Sequence, residues 1–260
     1  MNILDQLADH ARRRVAAARA LKPLAEVERQ ALALPKGDFP FERALSGPKL
    51  AFICECKRAS PSRGLIAPDF PYLDIVRDYE AAGAEAISVL TEPKWFLGSD
   101  EYLREIAGQV SVPCLRKDFT VDEYMLYQAK LLGASAALLL CAILDAAQLR
   151  AYIRICDGLG LSALVEAHDA AEVETALKAG ARIVGVNNRN LKDFTVDTGN
   201  SRRLRGMIPR DVLVVSESGV RDAGDAQAAR DMGADAVLVG EALMRAEDRR
   251  ARLVELRGGL

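Results

Sequence analysis

At 260 residues the chain is long enough to bury the core of one large domain, and an α/β barrel typically takes about 250. Half of the residues are hydrophobic but only 5% are aromatic, so the core must come from Ala, Val, Leu and Ile, which favours layers of helices and parallel strands over an all-β sandwich. A formal net charge of −2 excludes binding to polyanions by overall charge; without a signal-peptide core or an apolar run of about 18 residues, the expectation is a soluble cytoplasmic protein with no membrane or nucleic-acid partner.

In chain order, Ile3–Leu21 and Leu24–Leu34 carry helical spacing of Leu, Ile, Val and Ala, separated at Lys22-Pro23, and Pro35 to Pro40 breaks the pattern. Residues 1–48 are too few for a core of their own and read as a helical extension packed on the domain that follows. Arg12-Arg13-Arg14 lies inside the first helix and reads as a solvated face, since no stacking aromatic accompanies it.

Eight short apolar runs then follow: Leu50–Cys54, Ala86–Leu90, Val112–Leu115, Ala136–Leu140, Ala163–Val165, Ile183–Val186, Val212–Val215 and Ala236–Val239. Their starts fall 20 to 36 residues apart, room each time for a helix and two loops, which is the rhythm of parallel strands with helical crossovers. Four of the runs follow a helical pattern ending in Gly-Ala (Gly83-Ala84, Gly133-Ala134, Gly180-Ala181, Gly233-Ala234), the residue pair of a helix-to-strand turn. The spacing is too irregular for a solenoid, so eight units in one domain predict a closed (βα)8 barrel of the TIM type. The five cysteines (Cys54, Cys56, Cys114, Cys141, Cys156) are odd in number and sit mostly in apolar runs; they read as reduced core residues, with no zinc site expected.

Chemistry in such a barrel sits at the carboxyl ends of its strands. Charged and polar residues recur there: Glu55 and Lys57 after the first run, Lys117 after the third, Glu166 after the fifth, Asn187 after the sixth and Glu217 after the seventh. Residues two apart on a strand share a face, so Glu55 and Lys57 point inward if Ile53 does, Glu166 if Leu164 does, and Asn187 if Gly185 does. Inward charges are costly unless they pair or meet a ligand, so this ring reads as a site rather than a salt-bridge plug. Ser218-Gly219 after the seventh strand and Gly240 after the eighth, ahead of a helical stretch Glu241–Arg245, occupy the positions where phosphate-binding barrels hold their anion.

The loop Ala59-Ser60-Pro61-Ser62-Arg63-Gly64 reads as a flap with Ser60 facing a phosphate, or as a plain surface loop. Phe96 and Phe119 sandwich a flat substrate or merely cap the barrel, with the residues alone leaving both readings open. His168 reads as a loop histidine without catalytic duty, ahead of an N-capping Asp169.

Taken together, Glu55-Cys56-Lys57 with Ala59-Ser60-Pro61-Ser62, Ser88-Val89-Leu90-Thr91-Glu92 leading to Phe96 and Gly98, Lys117-Asp118-Phe119, Leu164-Val165-Glu166, Val186-Asn187-Asn188-Arg189-Asn190-Leu191, Ser216-Glu217-Ser218-Gly219 and Val239-Gly240-Glu241 resemble the motifs of the indole-3-glycerol-phosphate synthases of tryptophan biosynthesis. The likeness runs through all eight units, and residues 1–48 resemble that family's extension. It implies a cofactor-free, metal-free carbon–carbon lyase that closes 1-(2-carboxyphenylamino)-1-deoxy-D-ribulose 5-phosphate to indole-3-glycerol phosphate, releasing carbon dioxide and water.

The resemblance implies Lys117 as general acid, its pKa lowered by a cluster of positive charge, and Lys57 on the carboxylate or phosphate with a share in dehydration. Glu166 and Glu55 are left as candidates for the remaining acid and base steps, with Asn187 and Glu217 on the sugar hydroxyls and the lysines. Ser218, Gly219 and Gly240 carry over as phosphate contacts, and Phe96, Phe119, Leu138, Arg189 and Leu191 as the anthranilate environment. A monomer is expected, since no continuous apolar stripe is left over once the barrel is assigned. The alternatives are another phosphate-binding barrel, an isomerase or a Schiff-base aldolase using Lys57 or Lys117, or a non-catalytic phosphate-ligand sensor.

Overall fold

A computed structural model describes residues 2–191 and 193–258. Three helices come first: α1 (Ile3–Leu21), α2 (Leu24–Ala33) and α3 (Pro40–Leu45). There follow β1 (Ala51–Cys56), a small antiparallel hairpin of β2 (Ala59–Ser60) and β3 (Gly64–Leu65), α4 (Tyr72–Ala81), β4 (Ala86–Leu90), α5 (Asp100–Ala107), β5 (Cys114–Lys117), α6 (Tyr124–Leu131), β6 (Ala136–Leu140) and α7 (Ala146–Leu159). The remainder is β7 (Ser162–Ala167), α8 (Ala170–Ala179), β8 (Ile183–Asn187), α9 (Gly199–Arg205), β9 (Leu213–Glu217), α10 (Ala223–Asp231), β10 (Ala236–Val239), α11 (Glu241–Met244) and α12 (Arg249–Leu256).

Eight strands close a parallel barrel in the order β1, β4, β5, β6, β7, β8, β9, β10, with β10 returning to β1. This is the TIM barrel that the eight runs predict. Its pleat sorts side chains by parity. Ile53, Ala86, Leu115, Leu138, Leu164, Ile183, Val215 and Leu238 fill the interior, whereas Cys54, Ile87, Leu139, Val165, Val184, Val214 and Val237 face the helices. All five cysteines are free; Cys54 and Cys56 belong to the outer layer, where burial pushes both thiols up.

The Gly-Ala pairs close their helices as the sequence requires. Gly83, Gly133, Gly180 and Gly233 take φ between +83° and +94°, and each following alanine N–H donates to the carbonyl five residues back, as in Ala84 N to Tyr79 O at 3.0 Å. The apolar runs end early at the functional end. Strands β1, β5, β7, β8 and β9 continue through Glu55, Lys117, Glu166, Asn187 and Glu217, because backbone pairing tolerates a polar side chain wherever the barrel mouth solvates or pairs it.

Helix α1 follows its predicted bounds, opened by an Asn2–Asp5 capping box. Together α1 and α2 lie against α6. Helix α3 begins at Pro40, the last residue of the stretch that breaks the helical pattern; it is a six-residue helix with Pro40 at its first turn, a place where proline starts rather than breaks a helix. Its fully buried Phe41 and Leu45 join the interior cluster and plug the floor of the barrel. Among the described residues no helix is long and apolar enough to cross a membrane.

Candidate active site

A cavity of about 810 Å³ opens at the carboxyl ends of the strands, bordered by Glu55, Lys57, Lys117, Glu166, Asn187 and Glu217. Each of these except Lys57 continues an interior-facing row on its strand, and Lys57 extends the β1 row one step past the strand. The remaining sequence-predicted residues, Ser60, Phe96, Phe119, Leu138, Arg189, Leu191, Ser218, Gly219 and Gly240, line the same cavity.

Lys117 is the centre of the ring. Its Nζ lies 3.3 Å from Glu166 Oε2 and 3.4 Å from Glu217 Oε2. Burial works against the ammonium, but Glu217, Glu166 and Glu55 outweigh it and hold Lys117 protonated, its pKa raised. This reverses the expectation of a pKa lowered by positive charge: the neighbours of Lys117 are carboxylates, which a list of lysines in sequence does not reveal. The two carboxylates divide the roles. Glu166 is held below the usual carboxylate range in spite of burial, by Lys117, His168 and an Asn187 Nδ2 donor 3.1 Å from Oε1. Glu217 is pushed up to about 8 by burial together with Glu166 and Glu55, against the pull of Lys117, and its Oε1 is buried without a hydrogen-bond partner. The two carboxyls are pushed in opposite directions, Glu166 towards the anion and Glu217 towards the acid, and titrate as a coupled pair. Room for the Glu217 carboxyl comes from Gly185 across the barrel sheet, where a Cβ would overlap Oε1.

Lys57 and Glu55 form a second ion pair beside Gly240, where a Cβ would overlap Glu55 Oε2. Ser218 and Gly219 both take positive φ, +66° and +103°. Such a turn is costly at Ser218 and is held by Asn188 Nδ2, which donates to the Ser218 carbonyl at 2.9 Å. Helix α11 is a single turn, and the cations on this side are the rim arginines Arg63, Arg221, Arg245 and Arg252, which also border the cavity; Arg221 is paired with Asp225 and Arg252 with Glu255. Sequence reasoning noted only Arg63 among these; the signal available was their clustering after the seventh and eighth strands. Arg63 Nε and Arg245 Nε each lie 3.1 Å from a different oxygen of Glu241.

The aromatic wall is built: Phe96 and Phe119 have ring centroids 6.0 Å apart at 41°. Two buried carboxylates hold it. Glu92, fully buried, accepts from the backbone N–H groups of Lys94 (3.0 Å), Trp95 (2.7 Å) and Phe96 (3.0 Å) and pairs with His10 Nδ1 at 3.1 Å. Asp118 accepts from Phe119 N (2.8 Å), from Thr91 Oγ1 (2.6 Å) and from the two terminal guanidinium nitrogens of Arg14 (3.0 and 2.6 Å). Burial opposes the Asp118 anion, but Arg14 and Arg116 hold its pKa below the usual range. The solvated-face reading thus holds for Arg12 and Arg13 but not for Arg14, because the helical pitch turns Arg14 towards the barrel. Ile3, Leu4 and Leu7 of α1 also border the cavity, and neither they nor His10 were singled out as site residues in the sequence.

The family model for indole-3-glycerol phosphate synthase matches residues 4–256. A protein of that name from Ruminiclostridium cellulolyticum is 60% identical over 223 residues, 86% of each chain. The proteins of that name from Endomicrobium trichonymphae and Leuconostoc mesenteroides are 48% and 46% identical, each covering 98% of this chain and 99% of their own. Among solved structures, 3-hexulose-6-phosphate synthase from Salmonella typhimurium superposes with a TM-score of 0.63 at 17% identity, over 80% of this chain and 97% of that one. Thiamine phosphate pyrophosphorylase from Pyrococcus furiosus gives 0.62 at 19% identity, over 84% and 96%. At such identities these two share the fold alone.

Proposed function

The chain belongs to the indole-3-glycerol phosphate synthase family, and on that premise we propose how its barrel mouth divides the labour of the reaction. The enzyme is a carbon–carbon lyase that closes 1-(2-carboxyphenylamino)-1-deoxy-D-ribulose 5-phosphate to indole-3-glycerol phosphate. The ring carbon bearing the carboxylate attacks the ketone carbon; carbon dioxide leaves, then the new hydroxyl leaves as water, and loss of a proton restores aromaticity.

One observation carries the assignment: Lys117 is held protonated between Glu166 and Glu217, close to the Phe96–Phe119 wall. Lys117 delivers its proton to the ketone oxygen as the carbon–carbon bond forms, so no alkoxide has to accumulate. Glu166, kept ionised, takes the last proton. That proton leaves a cationic ring carbon of high acidity, so a carboxylate of low pKa is a sufficient base. Glu55 holds Lys57, which binds the substrate carboxylate and assists departure of the hydroxyl. Glu217, protonated at neutral pH, donates to a sugar hydroxyl, and Asn187 orients Glu166.

The aryl ring lies against Phe96 and Phe119 with Leu138, Arg189 and Leu191 around it. The phosphate meets Ser60, Ser218, the backbone N–H groups of Gly219 and Gly240, and the rim arginines. No cofactor or metal is required, and the protein works as a cytoplasmic monomer.

The test is direct: the carboxyphenylamino-deoxyribulose phosphate is added to purified protein in a chelator, and indole absorbance is followed for the native protein and for Lys117→Met. Turnover abolished by the substitution supports the assignment. Turnover that survives it moves the acid to Lys57. Release of no carbon dioxide, or a borohydride-trappable adduct, would favour an isomerase or an aldolase instead.

A further inference from the structure

His168 has no part in the reaction just described, yet it is built into the ring. It follows β7 directly, and its Nε2 lies 3.4 Å from Glu166 Oε1, the oxygen that also accepts from Asn187 Nδ2. Nε2 is buried and has no hydrogen-bond partner of its own; it is near enough to Glu166 to act by charge without being aligned for a hydrogen bond. The opposite ring nitrogen is clamped. Nδ1 lies 3.1 Å from Glu172 Oε2, which also takes the His168 backbone N–H at 2.7 Å. The His168 carbonyl accepts from Asn200 Nδ2 at 3.0 Å, and the same amide reaches the Asn187 carbonyl at 3.3 Å. The imidazole is thus fixed from α8 and from the segment after β8, with its free nitrogen 3.4 Å from the carboxylate assigned as the base.

We propose that His168 is a positioning residue for the ring closure: as an imidazolium clamped by Glu172 it holds Glu166 ionised and in place, and so sets the pH at which the base fails. This rests on the assignment of Glu166 as that base.

The charged and titratable groups around the pair are consistent with the role. Glu166 on β7 and Glu172 on α8 face the ring directly; Asp169, the α8 cap, and Cys141, whose Sγ points to the Glu172 carbonyl, lie at its outer side. Lys117 on β5 and Glu217 on β9 stand beyond Glu166. Burial opposes the imidazolium, but Glu172 and Glu166 outweigh it and raise the His168 pKa. Lys117 is the larger of the two cations holding Glu166 low, and His168 adds to it from the opposite side of the carboxylate.

The chain has only two histidines, so the His168 signal in an NMR titration is assigned by its survival in His10→Gln. Two measurements decide the matter. In His168→Gln, the acid limb of kcat/KM should move up by about one pH unit, since a cation within contact distance lowers a carboxyl pKa by about 1–3 units; the plateau rate should fall less than tenfold. Reciprocally, the His168 pKa should drop by about one unit in Glu166→Gln, by linkage, and it should drop again in Glu172→Gln.

A lowered plateau with an unmoved acid limb would reduce His168 to a structural residue. A His168 pKa indifferent to Glu166→Gln would remove the coupling altogether, whether or not His168→Gln folds. If the native protein shows no ring closure, the functional reading falls and this role falls with it, even where the NMR coupling is present. If closure occurs and only the limb and the titration fail to move, the functional reading stands and this inference alone is overturned.

Discussion

The two ends of the barrel are built on opposite principles. At the floor, α3 inserts Phe41 and Leu45 into an apolar layer of small and branched side chains, and the polar groups around it are paired: Glu42 N donates to Ser162 Oγ at 3.2 Å, and Arg182 bridges Glu42 and Asp157. At the mouth the same inward rows end in Glu55, Lys57, Lys117, Glu166, Asn187 and Glu217, with the Glu217 pKa raised by burial and by neighbouring carboxylates and one of its oxygens left without a partner. The floor is arranged for stability. The mouth gives up stability so that charges stand ready where a reaction needs them, the trade that catalytic sites commonly make. The N-terminal helices serve both ends, since α1 reaches the mouth through His10 and Arg14 while α3 seals the floor.

Substitutions at the two ends should therefore separate activity from stability. The largest effect is expected for Lys117→Met, with kcat/KM down by at least 10²–10⁴-fold, measured below a melting transition that calorimetry on the same preparation should place lower than the native one, since buried Glu166 loses its main cation. At the floor, Phe41→Ala should cost about 3–5 kcal/mol of stability and leave kcat/KM within a few-fold below the melting transition; a large loss of activity at full folding would break the contrast. Arg14→Ala tests the brace between the two. It leaves the buried Asp118 anion without its main partner, at a cost of about 3 kcal/mol, and should raise KM by loosening Phe119.

Glu217 gives the pH-dependent version of the same contrast. Its folded pKa of about 8 lies above that of an unfolded carboxyl, so between the two values the native state holds the extra proton. The contribution of Glu217 is fully present below the unfolded pKa and is lost as pH rises through the folded one. Glu217→Gln does not titrate, so its melting temperature should gain on that of the native protein as pH goes from about 5 to about 9. A difference constant with pH would mean that the proton is not on Glu217. The smallest effect belongs to Arg182→Ala, a half-exposed floor pair worth at most about 1 kcal/mol.

Much of this was legible in the chain. The eight apolar runs, the Gly-Ala helix ends and the parity rule placed Glu55, Glu166 and Asn187 on the inner face, because a parallel strand buried on both sides must be apolar and its side chains must alternate. Strand ends were read short at the mouth for the same reason: a run defined by apolarity stops where function begins. Short α3 was hidden by the proline that opens it, and the hairpin in the first loop by its two-residue strands.

What only the tertiary structure decided concerns partners distant in sequence. That Arg14 meets Asp118, that His168 faces Glu166, and that Lys117 is ringed by carboxylates rather than by cations depends on closing the barrel and laying α1 across its mouth. A sequence fixes which residues face inward by local periodicity; which charge neutralises which, and where the proton rests, follows from distances of a few ångströms that exist only after the chain has closed.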